Sequence, residues 1–180
     1  ASTDKMTADN YHIQGIVQSD AAWLNPAHED NYYIAAAILP WNGEVAASDY
    51  VLRKSVDGRP FDWWPVFYYA FDQMQFHHDP VAAANWLRFG AKRATDVNDR
   101  LMLENIAARW YERGYDTNTA ILVVEAMAKN AREGGFRRYL QMRVERLKTL
   151  RALEVAAAAY VARFQKPLLT LDELVKNGLI

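Results

Sequence analysis

The stretch Asp62–Ala94 reads DWWPVFYYAFDQMQFHHDPVAAANWLRFGAKRA. An aromatic-rich half and an alanine-rich half meet at His78-Asp79-Pro80, and each half is long enough for about four helical turns. Aspartate is favoured at the cap position of a helix and proline in its first turn. The break therefore marks the end of one helix and the start of the next, and the stretch predicts two antiparallel helices joined by a short turn.

Weaker copies of this helical pair lie on both sides of it, and two kinds of residue mark them. The helix-start residues Asn25, Asp62 and Asp99 recur every 37 residues. One helical pair cannot bury its own apolar face, so pairs stack and at least three are needed. The shared period therefore predicts an array of helical pairs. Small residues that permit close helix contacts recur 37 and 36 residues apart, at Ala47, Ala84 and Ala120.

The sequence predicts one all-α domain over residues 1–180, built from antiparallel helical pairs. No proline or glycine occurs between Phe136 and Phe164, and apolar residues recur there at helical spacing. This pattern predicts one long helix that closes the array. The expected segments are three repeats at about 25–58, 62–95 and 99–131, the long helix 136–165 and a short helix 170–177.

Local patterns predict where individual helices begin and end. Asn25–Pro26 combines a cap residue with a first-turn proline and predicts a helix start. Gly15 predicts an interrupted or weakened first helix, and Gly134–Gly135 predicts the end of a later one. Thr170–Glu173 matches the capping-box pattern and predicts the start of the last helix.

Three short segments within the predicted repeats carry a resemblance to a known family. They are Leu24–Pro26, Ala46–Ala47 and His78–Leu87, of which the last reads HDPVAAANWL. Over about residues 20–131 the chain resembles the degenerate tetratricopeptide-like repeats of bacterial proteins. The resemblance implies a right-handed superhelix. It also implies that the first helices of the pairs line a groove for a peptide or a partner helix.

The tail from Gln165 to Leu179 reads QKPLLTLDELVKNGL and follows the predicted long helix. It is similar to the segment that follows the long helix of pilin-like and pseudopilin-like proteins. This similarity implies a structural subunit of a bacterial envelope, pilus or secretion assembly. The chain begins at Ala1 without methionine, so we expect a removed or omitted upstream segment. A bacterial envelope-associated or periplasmic location is favoured over the cytoplasm.

Composition excludes several classes of function. The chain has no cysteine, so disulfides, thiolate nucleophiles and cysteine-ligated metal centres are excluded. The net charge of −1 provides no overall attraction to nucleic acid or to anionic membranes. No run approaches the ~18 apolar residues of a membrane span. Membrane association is therefore expected only through a segment absent from this chain.

Aromatic residues in Asp62–Ala94 cover more than one side of the first helix. One side belongs to the core, and the others either belong to it as well or line a partner-binding groove. Both interpretations stay open at the level of sequence. The aromatic residues concerned are Trp63, Trp64, Phe67, Tyr68, Tyr69, Phe71 and Phe76. The predicted partner-binding residues, all on first helices, are Tyr33, Trp64, Tyr68, Gln75 and Arg109.

The sequence His77-His78-Asp79 contains residue types that bind metals or transfer protons. Adjacent helical residues point about 100° apart, so one site would rarely use both imidazoles, and Asp79 is already needed as a cap. The favoured interpretation is a helix end followed by a capped start. Motifs of serine hydrolases, zinc peptidases, phosphate loops and dinucleotide sites are absent from the sequence. We expect no catalysis, no cofactor and no metal.

Charge is unevenly distributed along the chain. Residues 1–62 hold nine acidic and four basic residues, whereas residues 129–151 hold eight basic and two acidic ones. The basic stretch is either a surface for an acidic peptide, phosphate or anionic headgroups, or a solvated helix face. Nucleic acid is disfavoured because the aromatic residues cluster elsewhere. The basic-patch residues are Arg137, Arg138, Arg143, Arg146 and Arg151.

Three functions from different classes follow from these patterns. The leading hypothesis is a non-catalytic protein–protein interaction scaffold that binds a peptide or partner helix in the repeat groove. The second is a structural subunit of an envelope assembly. The third is a helical enzyme, or a binder of a metal or small ligand, that uses His77 or His78.

Overall fold

A computed structural model describes residues 6–180 of the chain. The all-α prediction is confirmed, since helices and no strands occur over this range. A single 3₁₀ turn, Pro40–Asn42, follows the second helix. The α-helices are α1 (Ala8–Leu24), α2 (Glu29–Ile38), α3 (Val45–Gly58), α4 (Trp64–Gln75), α5 (Pro80–Ala91), α6 (Val97–Gly114), α7 (Thr117–Asn130), α8 (Gly134–Phe164) and α9 (Asp172–Lys176).

The chain divides into two compact units, an N-terminal unit that ends at Gly114 and a C-terminal unit that begins at Tyr115. The boundary lies between α6 and α7, the two helices that the 37-residue period assigns to one pair. The prediction of one domain with three stacked pairs is not tested by this division and stays a prediction.

Helices that follow one another in the N-terminal unit pack side by side. Such contacts join α2 to α3, α3 to α4, α4 to α5 and α5 to α6, and α1 packs against both α2 and α3. Gly114, which ends α6, lies so close to the start of α5 that an added Cβ would stand 2.6 Å from Cγ2 of Val81. The end of α6 therefore meets the start of α5, as in an antiparallel pair. The first core cluster contains Ala22, Tyr32, Ala35, Leu39, Val51 and Leu52.

The predicted helix start at Asn25 is wrong. Asn25 ends α1, because its backbone N–H donates to the carbonyl oxygen of Ala21 at 2.8 Å. Helix α2 begins four residues later, where Nδ1 of His28 accepts from the backbone N–H of Asn31 at 3.3 Å. The side chain of Asn25 instead closes the turn between the helices by accepting from Ala27 N–H.

The predicted cap at Asp79 is confirmed, and two predicted helix starts shift by a few residues. Asp79 accepts from the N–H of Ala82 at 2.8 Å, and Asp116 caps α7 in the same way. Asp62 accepts from the backbone N–H of Trp64, two residues further along the chain. Helix α4 begins at Trp64, slightly later than expected. In α6 the carboxylate at the start belongs to Asp96, so Asp99 lies inside the first turn.

Three glycine or capping predictions are wrong. Helix α1 continues through Gly15, where a Cβ would lie 3.1 Å from the Cβ of Ala47, so the glycine permits a close approach of α1 to α3. Gly134–Gly135 begins α8 and does not end α7. The capping box at Thr170–Glu173 does not form, because α9 begins at Asp172 without a side-chain cap.

The C-terminal unit consists of α7, the 31-residue helix α8, and α9. Helix α7 packs along α8, and α9 folds back against the end of α8. Leu174 of α9 is fully buried with Ala156 and Tyr160 of α8. Gln165 ends α8 in a left-handed conformation with φ 54°. The predicted long and short helices are thus both present, with ends displaced by one or two residues.

Arg93 holds the segment after α3 in place. Its Nη1 donates to the carbonyl oxygens of Val56 at 2.9 Å, Arg59 at 3.2 Å and Asp62 at 3.4 Å. Carbonyls at a helix end lack partners inside the helix. One guanidinium from beyond α5 therefore satisfies the end of α3 and the loop that leads to α4.

We predict that Arg93→Ala lowers the free energy of unfolding by about 1–3 kcal/mol, because three part-buried carbonyls lose a charged donor. Urea unfolding followed by circular dichroism measures the change. Lys92→Ala is the matched control, since Lys92 is exposed and such substitutions usually change stability by less than about 0.5 kcal/mol. Equal effects of the two substitutions would show that the contacts of Arg93 contribute nothing.

Candidate partner-binding site

Three of the five predicted partner-binding residues form one aromatic cluster between α2 and α4. The ring of Tyr68 lies 5.9 Å from that of Tyr33, edge to face, and 5.9 Å from that of Trp64, stacked. Tyr33 is 57% exposed and Trp64 is 46% exposed. The cluster is therefore an open surface, although its rings already contact one another.

The loop before α4 fixes the position of Trp64. Asp62 Oδ1 accepts from the backbone N–H of Trp64 at 2.9 Å, and Oδ2 accepts from Nε of Arg59 at 2.7 Å. The guanidinium of Arg59 lies 5.6 Å from the ring centroid of Tyr32, the buried base of the cluster. Burial, with the nearby Asp62 carboxylate, raises the pKa of Tyr32 to about 12. This phenol thus stays neutral at physiological pH.

A second aromatic group extends the surface along α4, and its exposed member, Trp41, was not predicted from the sequence. Trp41, in the 3₁₀ turn after α2, is 56% exposed and lies 5.0 Å from the ring of Phe76 and 6.3 Å from that of Phe71. The tryptophan falls between a proline and an Asn-Gly turn, a pattern that predicts only a helix end. Its packing against α4 depends on the fold.

Gln75 and Arg109 are placed differently from the other predicted contacts. Gln75 lies exposed at the end of α4, 11 residues after Trp64 and therefore on the same side of the helix, about three turns away. Arg109 is exposed on α6. The structure brings neither side chain into the aromatic cluster.

A buried carboxylate, Asp72, lies between α3 and α4. It is 1% exposed, and its Oδ2 accepts from Oγ of Ser48 at 2.7 Å. Its other oxygen, Oδ1, has no hydrogen-bond partner among the described residues. Burial raises the pKa of Asp72 to about 6, and the nearby carboxylate of Asp49 acts in the same direction. The sequence analysis missed this group, although Asp72 is the one charged residue in α4.

His77 and His78 do not share a site. Nε2 of His77 lies 2.6 Å from Oδ2 of Asp49, whereas His78 has a left-handed backbone with φ 54° and is exposed at the end of α4. Burial raises the pKa of Asp49, and the bond to His77 opposes that rise. His77 thus contacts a carboxylate of α3, whereas His78 lies where the chain leaves α4.

The predicted basic patch contains residues with separate structural contacts. Arg137 donates through Nη2 to the carbonyl oxygen of Ala131 at 2.5 Å and so satisfies the end of α7. Nη1 of Arg143 donates to the hydroxyl of Tyr139 at 2.9 Å. These contacts account for two of the five arginines within the C-terminal unit.

The remaining arginines do not complete one basic side of α8. Arg151 pairs with Glu154 at 3.3 Å, and Arg138 and Arg146 are exposed. Because successive helical residues turn by about 100°, the five arginines are distributed around α8. A groove of ≈ 560 Å³ between α7 and α8 has lysine and glutamate together on its walls. Within this groove, Nζ of Lys148 forms a salt bridge with Oε1 of Glu125 at 3.1 Å.

Over residues 6–180, no group of three or more histidine, cysteine, aspartate or glutamate side chains has an arrangement that could hold a metal ion. Within the same range, no helix combines the length and the apolar character that crossing a bilayer requires.

The chain matches no protein-family model, no curated protein and no solved structure. The resemblance of the repeats to tetratricopeptide-like proteins and that of the tail to pilin-like proteins stay predictions.

The pKa of Asp72 leads to a prediction about stability and pH. Its value rises from 3.8 to about 6 on folding, so the folded protein holds a proton that the unfolded chain has released in that range. The contribution of Asp72 to stability is greatest below pH 3.8 and is lost as the pH rises through 6. Asp72→Asn removes the buried charge and should raise the free energy of unfolding at pH 8 by about 1–3 kcal/mol.

Urea unfolding of both proteins at pH 4 and pH 8 tests this prediction. At pH 4 the difference should nearly vanish, because the wild-type carboxyl is then largely protonated in the folded state. Asp57→Asn, at an exposed position on α3, serves as the matched control and should show no such pH dependence. A less stable Asp72→Asn protein at pH 8 would contradict the assigned protonation behaviour.

Proposed function

We propose that the chain is a non-catalytic interaction scaffold that binds a peptide or partner helix across the aromatic surface of α2 and α4. The observation that carries this proposal is the group of exposed rings on these two helices and on the 3₁₀ turn after α2, Tyr33, Trp64 and Trp41. Aromatic side chains provide large contact areas at a small cost in conformational entropy and often dominate binding energies. Uncovered rings on two neighbouring helices are the arrangement that an extended or helical ligand needs.

The spacing of the helices supports a tetratricopeptide-like arrangement within this proposal. The first helices of the successive pairs begin at Glu29, Trp64 and Val97, so their starts are 35 and 33 residues apart. These spacings lie on either side of the 34-residue period of tetratricopeptide repeats. In such an array the first helices line the groove that receives the ligand, and α2 and α4, which contact each other, are first helices here.

The electrostatics of the cluster define the kind of ligand. Tyr32 and Tyr68 have raised pKa values, caused first by burial, and the carboxylate of Asp62 is bound to Arg59. The surface thus offers neutral hydroxyls and ring faces with little free charge. We infer that the partner segment presents apolar or aromatic side chains and that its binding changes little with salt.

A peptide selected from a random phage-displayed library on the intact chain tests the proposal. We predict that Trp64→Ala and Tyr33→Ala each weaken binding of the selected peptide by about 10–100-fold, the range of an aromatic hot spot. Fluorescence anisotropy of the labelled peptide gives the affinity. Circular dichroism melting checks that each variant remains folded, as expected for half-exposed side chains.

Leu122→Ala is the control, because it removes a large apolar side chain that is 66% exposed on α7, in the C-terminal unit. It should leave the affinity of the selected peptide unchanged within about twofold. Selected peptides that bind Trp64→Ala and Tyr33→Ala as tightly as Leu122→Ala would show that α2 and α4 are not the binding surface. Failure of an extensive library to yield any binder would also count against a peptide-binding groove.

A further inference from the structure

Helix α1 has an inverted distribution of residue sizes. The residues that it buries are Gly15, Gln18 and Ala22, which are small or polar. Its large apolar side chains are exposed to between one half and three quarters of their surface. An amphipathic helix normally buries its large apolar side, so α1 presents to solvent the face that usually forms a contact. The exposed apolar residues are Ile13, Ile16, Val17, Trp23 and Leu24.

This apolar face continues into a groove between α1 and α3. The groove has a volume of ≈ 580 Å³ and lies entirely within the N-terminal unit. Ile16 and Trp23 of α1 form one wall, and Ala46, Ala47 and Tyr50 of α3 form the other. The close approach of the two helices at Gly15 sets its floor. The groove therefore has the apolar walls that the side chains of a docked helix require.

The exposed apolar area of α1 is large enough for a docking surface. The five side chains are 51–74% exposed, and at the roughly 150–250 Å² of an aromatic side chain they would present about 450–800 Å². This is at or above the roughly 300–600 Å² of the largest apolar patch on a typical monomer, which is often functional. With a polar rim it approaches the roughly 800 Å² per partner of a standard interface.

Carboxylates accompany the apolar residues. Asp9 and Asp20 lie on the same exposed side of α1, 11 residues or about three helical turns apart. Neither has an ion pair among the described residues. Glu44, on the groove wall, lies 3.2 Å from Nδ1 of His12, its one ion-pair partner within residues 6–180. Helix α1 contains no lysine or arginine. The surface is therefore apolar and acidic together.

We propose that this face of α1 and its groove form a second docking surface, which binds an amphipathic helix with basic residues beside its apolar side. The charges select this occupant. A symmetric dimer through this face would bring Asp9 and Asp20 of both copies together, and α1 offers no lysine or arginine to pair with them. An anionic bilayer would be repelled by the same carboxylates. A basic helix places its cations on the carboxylates and its apolar residues in the groove.

A pair of synthetic peptides tests the proposal: a 14-residue amphipathic helix of leucine and lysine, and the same sequence with glutamate in place of lysine. Fluorescence anisotropy with the intact chain should show micromolar binding of the lysine peptide and at least tenfold weaker binding of the glutamate peptide. The double variant Asp9→Asn/Asp20→Asn should weaken the lysine peptide about tenfold. Asp57→Asn, the control at an exposed position on α3, should change it by less than twofold.

The apolar requirement is tested with Ile13→Ser/Val17→Ser, whose sites are 58% and 60% exposed. This variant should retain its melting temperature and lose at least tenfold in affinity for the lysine peptide. Equal binding of the two peptides, or an equal effect of Asp57→Asn and of the double aspartate variant, would overturn the proposal. Unchanged affinity after Trp64→Ala is also expected, because that residue belongs to the α2 and α4 surface, so this test and that of the proposed function can fail independently.

Two other occupants of the α1 face, a second copy of the chain and a lipid surface, would give different experimental results. Sedimentation equilibrium of the intact chain should show a monomer at micromolar concentration. A dimer that dissociates when Ile13→Ser/Val17→Ser is introduced would assign the face to a second copy and overturn the proposal. Co-sedimentation with phosphatidylcholine–phosphatidylglycerol vesicles that is lost in the same variant would assign it to a lipid surface, with the same consequence.

Discussion

Helix α3 must pack against three other helices at once, and the N-terminal unit depends on this constraint. Helices α1, α2 and α4 all contact it, and the side of α3 that carries Tyr50, Arg53 and Asp57 stays exposed. Val51 and Leu52 are completely buried, and the hydroxyl-bearing Ser48 and Ser55 are buried as well. Where space is so limited, small polar residues replace large apolar ones, and Ser48 meets the carboxylate of Asp72 from the facing helix.

The same crowding explains why α1 is unusual. Gly15 and Ala47 bring α1 and α3 within contact distance, and an approach this close leaves no room for large side chains between the helices. The large apolar residues of α1 are consequently on its outer side, where Ile13 and Val17 are exposed. The proposed second docking surface thus follows from tight packing on the opposite side of the same helix.

The two proposed surfaces of the N-terminal unit differ in chemistry. The surface of α2 and α4 is aromatic and nearly neutral, because Arg59 pairs with Asp62 and the phenol of Tyr32 has a pKa of about 12. The surface of α1 combines apolar side chains with the carboxylates of Asp9 and Asp20, which have no ion pair within residues 6–180. Partners chosen by these surfaces would differ in charge, so one scaffold could hold two different segments without competition between them.

The sequence by itself determined the all-α class, the order of the helices and several of their ends. Asp79 was predictable as a cap because a cap bonds backbone groups only two or three residues away. Local pattern also placed the long helix α8, in which no proline occurs. At Asn25 the capping rule failed, because the side chain of Asn25 bonds within the turn after α1 and does not cap a helix.

Tertiary structure decided which side chains are buried, paired or exposed. It brought Tyr33 to Tyr68 across 35 residues of sequence, and it gave Asp72 a partner in Ser48, 24 residues away. Such contacts depend on how helices pack, and the same sequence pattern permits several packings. The physical reason is range: hydrogen bonds within a helix link near neighbours, whereas burial and ionisation respond to every element that surrounds a group.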